Sequence, residues 1–497
     1  MATAATYYAS PNGTGTGTEE ADPCSLSSGI SKINSKGNAS HTLVLKQGRY
    51  MLSSAIALTG ANSGYQTTLR SETDNPADVI LDAQGASEVM RLNKNVIVTG
   101  LTIMNGSNAS LDVKHRAAGV RIGYYSDLDT LSIVSNCVVT CCTNEYTQDT
   151  RSSGNIVYGG AVCVYNSGLL IDSLVTNNTA VYRSAGVVLK SGTVRGCTVS
   201  GNTAPNGGGG IFVERESTGY IADSVISGNS GGTVSESSYG GGVACLFADS
   251  SLILTNCTIT GNSAWRGGGV SNNWNLKFTA SIIDCVITNN SSIAQGGGVC
   301  VRDQDQTDLS TRFVMRNCLV AFNRTSSSYE GGGIYLADYA NPVIDSCTIV
   351  KNRSGSSGGA GIMHRWGGTV TNCIIASNIK ATSSGSAEET GSKWCLPDPA
   401  DSTARVSSAY VNCCVWPSVD DVFLAANGCV NADPQFTDAS KGDFTLTGDS
   451  PCKNAGIFES WMAGAFDLAG KKRISDSIVD IGCYELYVPP GFMLIFR

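Results

Sequence analysis

A short pattern repeats along the middle of this 497-residue chain and constrains its fold more than any other feature. A Cys or Ser, usually preceded by Asn or Asp, is followed five residues later by Asn. The pairs are Ser173/Asn178, Cys197/Asn202, Ser224/Asn229, Cys257/Asn262, Cys285/Asn290, Cys318/Asn323, Cys347/Asn352 and Cys373/Asn378. A cluster rich in glycine followed by Val or Ile separates each Asn from the next Cys or Ser, as in Gly267-Gly268-Gly269-Val270.

The repeat predicts a solenoid of β-strands. Its period varies between 24 and 36 residues, and each unit holds short β-branched runs without helical periodicity. A β-coil buries its apolar residues only when another coil stacks on it, which explains why the same residue types return in register. We therefore expect an all-β, single-stranded, right-handed parallel β-helix of about a dozen coils, about 60 Å long at a strand spacing of ~4.8 Å.

The recurring Cys and Asn residues have a structural interpretation. We expect the cysteines to form an internal ladder of small buried thiols, with metal or redox chemistry as the alternative. Neighbouring parallel strands point equivalent side chains the same way, which opposes the dihedral angle of a disulfide. Asn tolerates the left-handed backbone conformation, and stacked Asn amides can hydrogen-bond from coil to coil, so the Asn column predicts a turn ladder.

Composition excludes several classes of function. The net charge is −8 with 15% charged residues, and no basic run interleaved with aromatic residues is present, so the chain does not resemble a nucleic-acid-binding protein. No apolar window of 18 residues predicts a membrane span. We expect an extracellular or cell-surface bacterial protein that is monomeric and whose signal peptide is absent from this sequence.

The differences between coils point to a site. From the last glycine of each cluster to the next Cys or Ser, the lengths run 11, 14, 15, 16, 20, 14 and 12 residues, which predicts a wall that rises beside a groove at mid-chain. Charged and aromatic residues follow the glycine clusters and should stack into one strip. The candidate catalytic residues are Lys190, Glu214, Arg215, Arg302, Asp303, Asp305, His364 and Arg365. The candidate substrate-binding residues are Tyr165, Asn273, Trp274, Tyr335, Asp338 and Trp366.

Such a strip suits a polysaccharide, because aromatic rings stack on sugars and charged groups bind their substituents. For β-elimination on a uronic-acid polymer, a cation neutralises the sugar carboxylate while a Lys, Arg, His or Tyr removes the adjacent proton. Ca²⁺ could replace one cation, with Asp303, Asp305 and Asp308 as oxygen ligands. Hydrolysis would instead need two carboxylates about 5 to 9 Å apart. The density of cations favours a polysaccharide lyase over a glycoside hydrolase, and a non-catalytic adhesin or glycan-binding protein is the third alternative.

Several segments resemble known families. The Cys-x4-Asn unit with its glycine clusters resembles pectate-lyase-like right-handed β-helix proteins of bacterial surfaces and the repeats of chlamydial polymorphic outer-membrane adhesins. The closing segments Asp433-Pro434-Gln435-Phe436, Ser450-Pro451-Cys452 and Asp480-Ile481-Gly482-Cys483-Tyr484-Glu485 resemble the end of choice-of-anchor Q domain proteins. These resemblances imply fold and surface location. We predict an N-terminal cap at 1–40, the parallel β-helix at 41–380 and C-terminal coils with a cap at 381–497.

Overall fold

A computed structural model of the chain describes residues 3–34, 38–108, 117–124, 131–145, 159–233, 238–245, 250–272, 279–302, 313–326, 328–337, 341–355, 358–364, 367–381, 388–390, 409–417, 427–474 and 478–486. Nearly all regular structure in these residues is β-strand, and the long sheets are parallel. Each coil contributes one strand to each sheet, so the chain is a parallel β-helix, as predicted.

Three long parallel sheets form the faces of the solenoid, and we call them sheets A, B and C. Sheet A has fourteen strands: Ala5–Ala9, His41–Leu45, Thr67–Ser71, Val96–Thr99, Ile133–Ser135, Leu169–Ile171, Thr193–Arg195, Thr218–Ala222, Ser251–Thr255, Thr279–Ile283, Phe313–Arg316, Val343–Asp345, Thr369–Thr371 and Ala409–Val411. Sheet B has thirteen: Gly48–Met51, Val79–Asp82, Thr102–Met104, Val138–Thr140, Leu174–Thr176, Thr198–Ser200, Val225–Ser227, Thr258–Thr260, Val286–Thr288, Leu319–Ala321, Thr348–Val350, Ile374–Ala376 and Cys414–Trp416. Sheet C has eleven: Ile56–Leu58, Met90–Leu92, Val120–Ile122, Val162–Tyr165, Val187–Lys190, Ile211–Val213, Val243–Cys245, Val270–Asn272, Val299–Val301, Ile334–Leu336 and Ile362–His364.

Shorter elements complete the described chain. Two small sheets are formed by short strands that follow the sheet B strand of a coil. The first consists of Ser107–Asn108, Thr143–Asn144 and Thr179–Ala180. The second consists of Ser263–Ala264, Ser291–Ser292, Arg324–Thr325, Arg353–Ser354, Ile379–Ala381 and the antiparallel Glu388–Thr390. The α-helix Leu26–Asn34 lies near the N-terminus, and Ser25 caps it by accepting the Ser28 N–H. A hairpin of Phe436–Asp438 and Asp443–Leu446 and a 3₁₀ turn at Ser460–Met462 follow the last coil.

The glycine clusters mark the tightest turn of each coil. The first glycine of a cluster adopts a left-handed conformation, with φ of +70° at Gly296. A Cβ atom on Gly297 would lie 2.4 Å from the carbonyl oxygen of Gly332 in the next coil. Only glycine fits both requirements, so the clusters recur wherever successive coils meet at this corner.

The Asn column is a buried hydrogen-bonded ladder, as predicted. Asn290 shows the pattern: its Nδ2 donates to Ile259 O at 2.9 Å and to Asn323 Oδ1 at 3.0 Å, while its Oδ1 accepts the Asn262 N–H at 3.0 Å. One detail of the expectation is wrong. The left-handed residue is the one before the ladder position, such as Asn289 with φ of +56°, because the ladder Asn itself must turn its amide inward.

The cysteine ladder is also internal and extends further than the repeat indicates. Cys413 and Cys429 continue the column beyond Cys373. Each sulfur occupies a hydrogen-bonding position: Cys318 Sγ accepts the Cys285 N–H at 3.4 Å and donates to Arg316 O at 3.0 Å. In earlier coils a Ser hydroxyl makes the same bonds, since Ser224 Oγ accepts the Cys197 N–H at 3.1 Å and donates to Ala222 O at 2.6 Å. Hydrogen bonding therefore explains why Ser and Cys alternate in one column.

The C-terminal segment, which we define as residues 427–474 and 478–486, packs along the side of the solenoid. It covers the outer face of sheet B, where Leu319, Val350 and Ile374 form an apolar cluster with Phe444 and Ile481. Polar contacts fix this position. Asn372 Nδ2 donates to Ile457 O at 2.9 Å, Cys483 N to Thr348 Oγ1 at 3.1 Å, and Trp461 Nε1 to Asp345 Oδ2 at 2.5 Å. The predicted division of the chain at residues 40 and 380 stays a prediction.

Candidate functional site

Sheet C carries the residues in which the coils differ most. In its strands the first and third residues face the interior core, and the middle residue faces outward. The outward residues stack in register into one column: Ala57, Arg91, Arg121, Cys163, Val188, Phe212, Ala244, Ser271, Cys300, Tyr335 and Met363. Much of this column is nevertheless buried, and it forms two apolar clusters outside the core, one around Phe212 and one around Tyr335.

A second outward position follows the end of each strand. Tyr165 pairs with Lys190, and the register of the following strands carries the same position on to Glu214 and, further along the solenoid, to Arg302. The structure therefore brings these predicted site residues into one line, as the stacking argument requires. They differ in exposure, since Tyr165 and Glu214 are buried whereas Lys190 and Arg302 are half-buried.

Lys190, Glu214 and Arg215 form a local charged group. Lys190 Nζ lies 3.5 Å from Glu214 Oε2 and donates to Arg215 O at 3.4 Å. Arg215 Nε lies 3.3 Å from Glu216 Oε1 at an exposed position. The carboxylate of Glu214 is thus engaged by an ammonium group of the preceding coil.

Arg302 is positioned by its neighbour in the preceding coil. The side-chain amide of Asn272, which is itself buried, accepts the Arg302 N–H at 2.6 Å and donates to Arg302 O at 3.1 Å. This pair of hydrogen bonds fixes the backbone from which the guanidinium extends. Burial lowers the pKa of Arg302, and the positive charge of Arg266 lowers it further.

Arg266 is the second guanidinium of this region. Its Nε donates to Gln295 Oε1 at 3.1 Å and its Nη1 to Tyr239 Oη at 3.4 Å, and its Cζ lies 5.6 Å from the centre of the Tyr239 ring. Tyr239 and Tyr335 act electrostatically on Arg302 in the opposite direction and raise its pKa. We call Arg266, Arg302, Tyr239 and Tyr335 the arginine centre.

Cys300 lies beneath the arginine centre. Burial raises the pKa of its thiol to about 11, and the guanidinium groups of Arg302 and Arg266 oppose that rise. The carboxylate of Glu330 acts in the opposite direction to the two arginines. The positive charges of Arg266 and Arg302 act on each other at a half-buried surface, so the arginine centre can attract a carboxylate or another oxyanion.

Sequence reasoning missed half of this group. Tyr239, Arg266, Gln295 and Glu330 each stand directly before a glycine cluster, whereas the predicted strip follows the clusters. The positions before the clusters stack as well. Tyr239 forms a parallel β-bridge with Arg266, and the Gly267 N–H of that coil donates to Gln295 O of the next at 3.1 Å. A large polar or aromatic residue before four consecutive clusters is the pattern that could have revealed them.

His364 occupies a different place from the predicted strip. It ends the strand Ile362–His364 at a position that faces inward, is fully buried, and its Nδ1 lies 3.3 Å from Tyr410 Oη. The prediction that His364 belongs to the outward strip is wrong. His364 pairs in register with Leu336 of the preceding coil, which points into the core, so His364 points inward as well. Tyr335 is on the outer face but only 6% exposed, so little of its ring is available as a platform.

The remaining predicted residues lie outside the described part of the chain: Asn273, Trp274, Asp303, Asp305, Asp308, Asp338, Arg365 and Trp366. Within the described residues, no group of three or more His, Cys, Asp or Glu side chains is placed to hold a metal ion. The calcium site stays a prediction. None of the helices in the described residues is long and apolar enough to cross a membrane.

Two cavities lined by described residues lie elsewhere on the solenoid. One of about 340 Å³ is bordered by Gln84, Asn105, Ser107, Cys141 and Glu145. The other, of about 190 Å³, is bordered mainly by hydroxyl side chains and by Arg324. Neither of these two cavities borders the arginine centre.

Comparisons with known proteins agree with the architecture. Residues 159–324 match the family model described as a right-handed β-helix region, and this range includes Tyr239, Arg266 and Arg302 but ends before Tyr335. A search of curated proteins finds no match.

Solved structures with a similar course of the chain include pectate lyase Pel9A, at 12% identity and a TM-score of 0.44 over 98% of this chain and 97% of that one. A mannuronic-acid-specific polysaccharide family 6 lyase from human gut microbiota has 11% identity and a TM-score of 0.37 over 76% and 81% of the two chains. XylC, solved in complex with xylose, has 8% identity and a TM-score of 0.46 over 97% and 98%.

Proposed function

We propose that this protein is a secreted, monomeric carbohydrate-active protein that binds an anionic polysaccharide at the arginine centre and cleaves it by β-elimination. The observation that carries the proposal is that the guanidinium groups of Arg266 and Arg302 act electrostatically on each other, beside Tyr239 and Tyr335, on the outer face of sheet C. A uronic-acid unit supplies the negative charge that such a pair binds best.

The chemistry of elimination assigns a part to each group. Arg302 and Arg266 neutralise the sugar carboxylate, which makes the proton on the adjacent ring carbon more acidic. The phenol oxygen of Tyr335 or Tyr239, once deprotonated, accepts that proton. The bond from the neighbouring ring carbon to the glycosidic oxygen then breaks, a carbon–carbon double bond forms in the ring, and the leaving oxygen takes up a proton.

Hydrolysis is supported less well by the described residues. It requires two carboxylates across the scissile bond. Among the described residues of the strip, Glu214 is buried against Lys190 and Glu216 lies beside Arg215 at the surface. Neither stands at the arginine centre, where Glu330 supplies a carboxylate near Cys300 but cations and phenols predominate.

Binding without cleavage is the second candidate function, and one observation favours it. Tyr165 and Tyr335, which should offer ring faces to a sugar, are 3% and 6% exposed. A surface that binds a charged polymer through guanidinium groups alone would act as an adhesin or a glycan-binding protein. Calcium held by Asp303, Asp305 and Asp308 would suit either function, by bridging a sugar carboxylate to the protein.

A substrate screen tests the proposal. The purified protein is incubated with uronic-acid and neutral polysaccharides, with and without EDTA, while absorbance at ~235 nm, the band of unsaturated uronates, and new reducing ends are followed. We expect absorbance to rise on a uronic-acid polymer. New reducing ends without absorbance would support hydrolysis, and retention on immobilised glycans without either product would support binding alone.

Variants locate the activity. Arg302→Ala should lower kcat/KM by about 100-fold, the usual cost of removing one charge-stabilising donor. Arg195→Ala is the matched control, because Arg195 is an exposed arginine at the end of a sheet A strand. Equal activity of both variants would reject the arginine centre as the site.

A further inference from the structure

The second small sheet, which runs from Ser263–Ala264 to Glu388–Thr390, borders the cavity of about 190 Å³. The residues that line this cavity include Thr233, Ala264, Ser291, Ser292, Arg324 and Thr325. They come from four successive coils, because Ser230, Ser263, Ser291 and Arg324 are paired in register from coil to coil. The cavity therefore extends over about 14 Å at the spacing of parallel strands.

The sequence explains why a hollow forms at this place. The first residue of the small-sheet strand is Ser in two successive coils and then becomes Arg at position 324. Small side chains leave the surface low, and the long side chain of Arg324 stands beside them. The backbone of Arg324 is fixed, because its N–H donates to Asn290 O at 2.9 Å and the preceding Asn323 belongs to the Asn ladder. Arg324 thus extends from a rigid base at one end of the cavity.

The hydroxyl groups of the cavity are of two kinds. Ser292 and Thr325 are buried and donate to main-chain carbonyl groups, as Ser292 Oγ does to Ala294 O at 2.7 Å. Ser291 is half-buried and Thr233 is exposed, and within the described part of the chain their hydroxyls have no hydrogen-bond partner. The first kind maintains the coil, whereas the second is available to a bound molecule as donor or acceptor.

Arg324 gives the cavity its charge. Its side chain is exposed, and no carboxylate of the described residues forms an ion pair with it. The residue in register with it in the next coil is Arg353, so two cationic residues stand on neighbouring parallel strands. Like charges in register destabilise a sheet, and an anion bound beside them offsets that cost. A guanidinium with open N–H groups can bind the oxygens of a carboxylate or a sulfate in pairs.

We propose that this cavity binds an acidic sugar unit, with the carboxylate or sulfate ester of the sugar on Arg324 and its hydroxyl groups on Ser291 and Thr233. At ~30 Å³ per water the cavity has the volume of about six waters, which admits one sugar unit. The site is separate from the arginine centre and needs no cleavage there. A polymer that reaches both sites is held at two points of one solenoid, which raises its apparent affinity above that of a short oligosaccharide.

Titration calorimetry on the full chain carrying Arg302→Ala tests this site apart from the arginine centre. The probes are a uronic-acid disaccharide, a sulfated disaccharide, a neutral disaccharide and inorganic sulfate. We expect an acidic disaccharide to bind about 10-fold or more tightly than the neutral one, and the tighter of the two acidic probes identifies the charged group. Inorganic sulfate should bind more weakly, because it lacks the sugar hydroxyls. No binding of either acidic disaccharide, or equal affinity for inorganic sulfate, would overturn the proposal.

Variants in the same background locate the binding. Arg324→Gln should weaken binding of the acidic disaccharide about 10-fold, and Ser291→Leu, which fills the cavity with an apolar side chain, should weaken it as well. Arg195→Ala is the matched control, because Arg195 is an exposed arginine at the end of a sheet A strand. Thermal unfolding checks that all three variants remain folded. Equal affinity of Arg324→Gln and Arg195→Ala for the acidic disaccharide would contradict the proposal.

Discussion

The interior of the solenoid and the outer face of sheet C use the same coil repeat for opposite purposes. Inside, the coils between residues 178 and 378 place an Asn in the same hydrogen bonds, so Asn290 repeats what Asn262 and Asn323 do. On the outer face, the stacked residues differ from coil to coil, and Arg302 is followed in the next coil by Ala337. Uniform columns stabilise the stack, whereas varied columns are free to form a site. Substitutions inside should therefore change stability, and substitutions outside should change binding and turnover.

The Asn ladder should show the largest stability effect. Asn290→Ala removes two donated bonds and leaves the buried Asn262 N–H and Ile259 O without this partner, so the free energy of unfolding should fall by about 3 kcal/mol. Urea denaturation measures the loss. Asn289→Gly is the matched control: this neighbour is exposed with φ of +56°, a conformation that glycine adopts readily, and we expect little change. Equal stability of the two variants would show that the ladder position contributes no more to stability than the turn position before it.

His364 tests the boundary between the two regions. His364→Ala removes a fully buried side chain that contacts Tyr410, so the free energy of unfolding should fall by about 2 kcal/mol while activity per folded molecule is retained. Chemical denaturation and turnover measured on the same preparation separate the two effects. Loss of activity at unchanged stability would show that His364 takes part in the functional site after all.

Glu485 makes the C-terminal segment sensitive to pH. Burial raises the pKa of this carboxyl to about 8, against the lowering effect of the Arg473 charge, and the nearby Asp480 and Asp467 carboxylates raise it further. The protonated form is therefore favoured by folding. Its contribution to stability is complete below the ordinary pKa of Glu, about 4.3, and is lost as the pH rises through about 8.

The free energy of unfolding should accordingly fall by up to about 2 kcal/mol between pH 6 and pH 8. Urea titrations at pH 6, 7 and 8 measure this decline. Glu485→Gln, which keeps the shape but cannot ionise, should flatten the profile. An equally steep decline in that variant would assign the pH dependence to other groups.

The cysteine ladder should give the smallest effect. Cys318→Ser keeps an acceptor for the Cys285 N–H and a donor to the Arg316 carbonyl, as Ser224 does in an earlier coil, so we expect a loss below about 1 kcal/mol. Cys318→Ala leaves that N–H without an acceptor and should cost about 2 kcal/mol. Denaturation curves of the two variants provide the comparison. A larger loss for Ser than for Ala would show that apolar packing of sulfur, and not hydrogen bonding, maintains the column.

The fold could be predicted from the sequence because the interior repeats. The pair Cys318 and Asn323 has the same five-residue spacing as the other pairs between residues 173 and 378, since a change in one coil would disturb both neighbours. The site could be predicted only in part. Stacking places Lys190 and Glu214 in one line. The interaction of Arg266 with Arg302 is different, because Arg266 precedes the glycine cluster of one coil and Arg302 follows the sheet C strand of the next coil. That relation depends on how the coils turn, which no single repeat encodes.

A double-mutant cycle on Arg266 and Arg302 tests the central claim most directly. Affinity for a uronic-acid polymer and for a neutral polymer of similar length is measured for the wild type, Arg266→Ala, Arg302→Ala and the double variant. The two arginines share one bound carboxylate in this account, so we expect each single change to weaken binding of the uronic-acid polymer about 10-fold or more, with non-additive losses, and to leave neutral-polymer binding unchanged. Additive losses that are equal for both polymers, or no loss at all, would contradict a shared anion site on the outer face of sheet C.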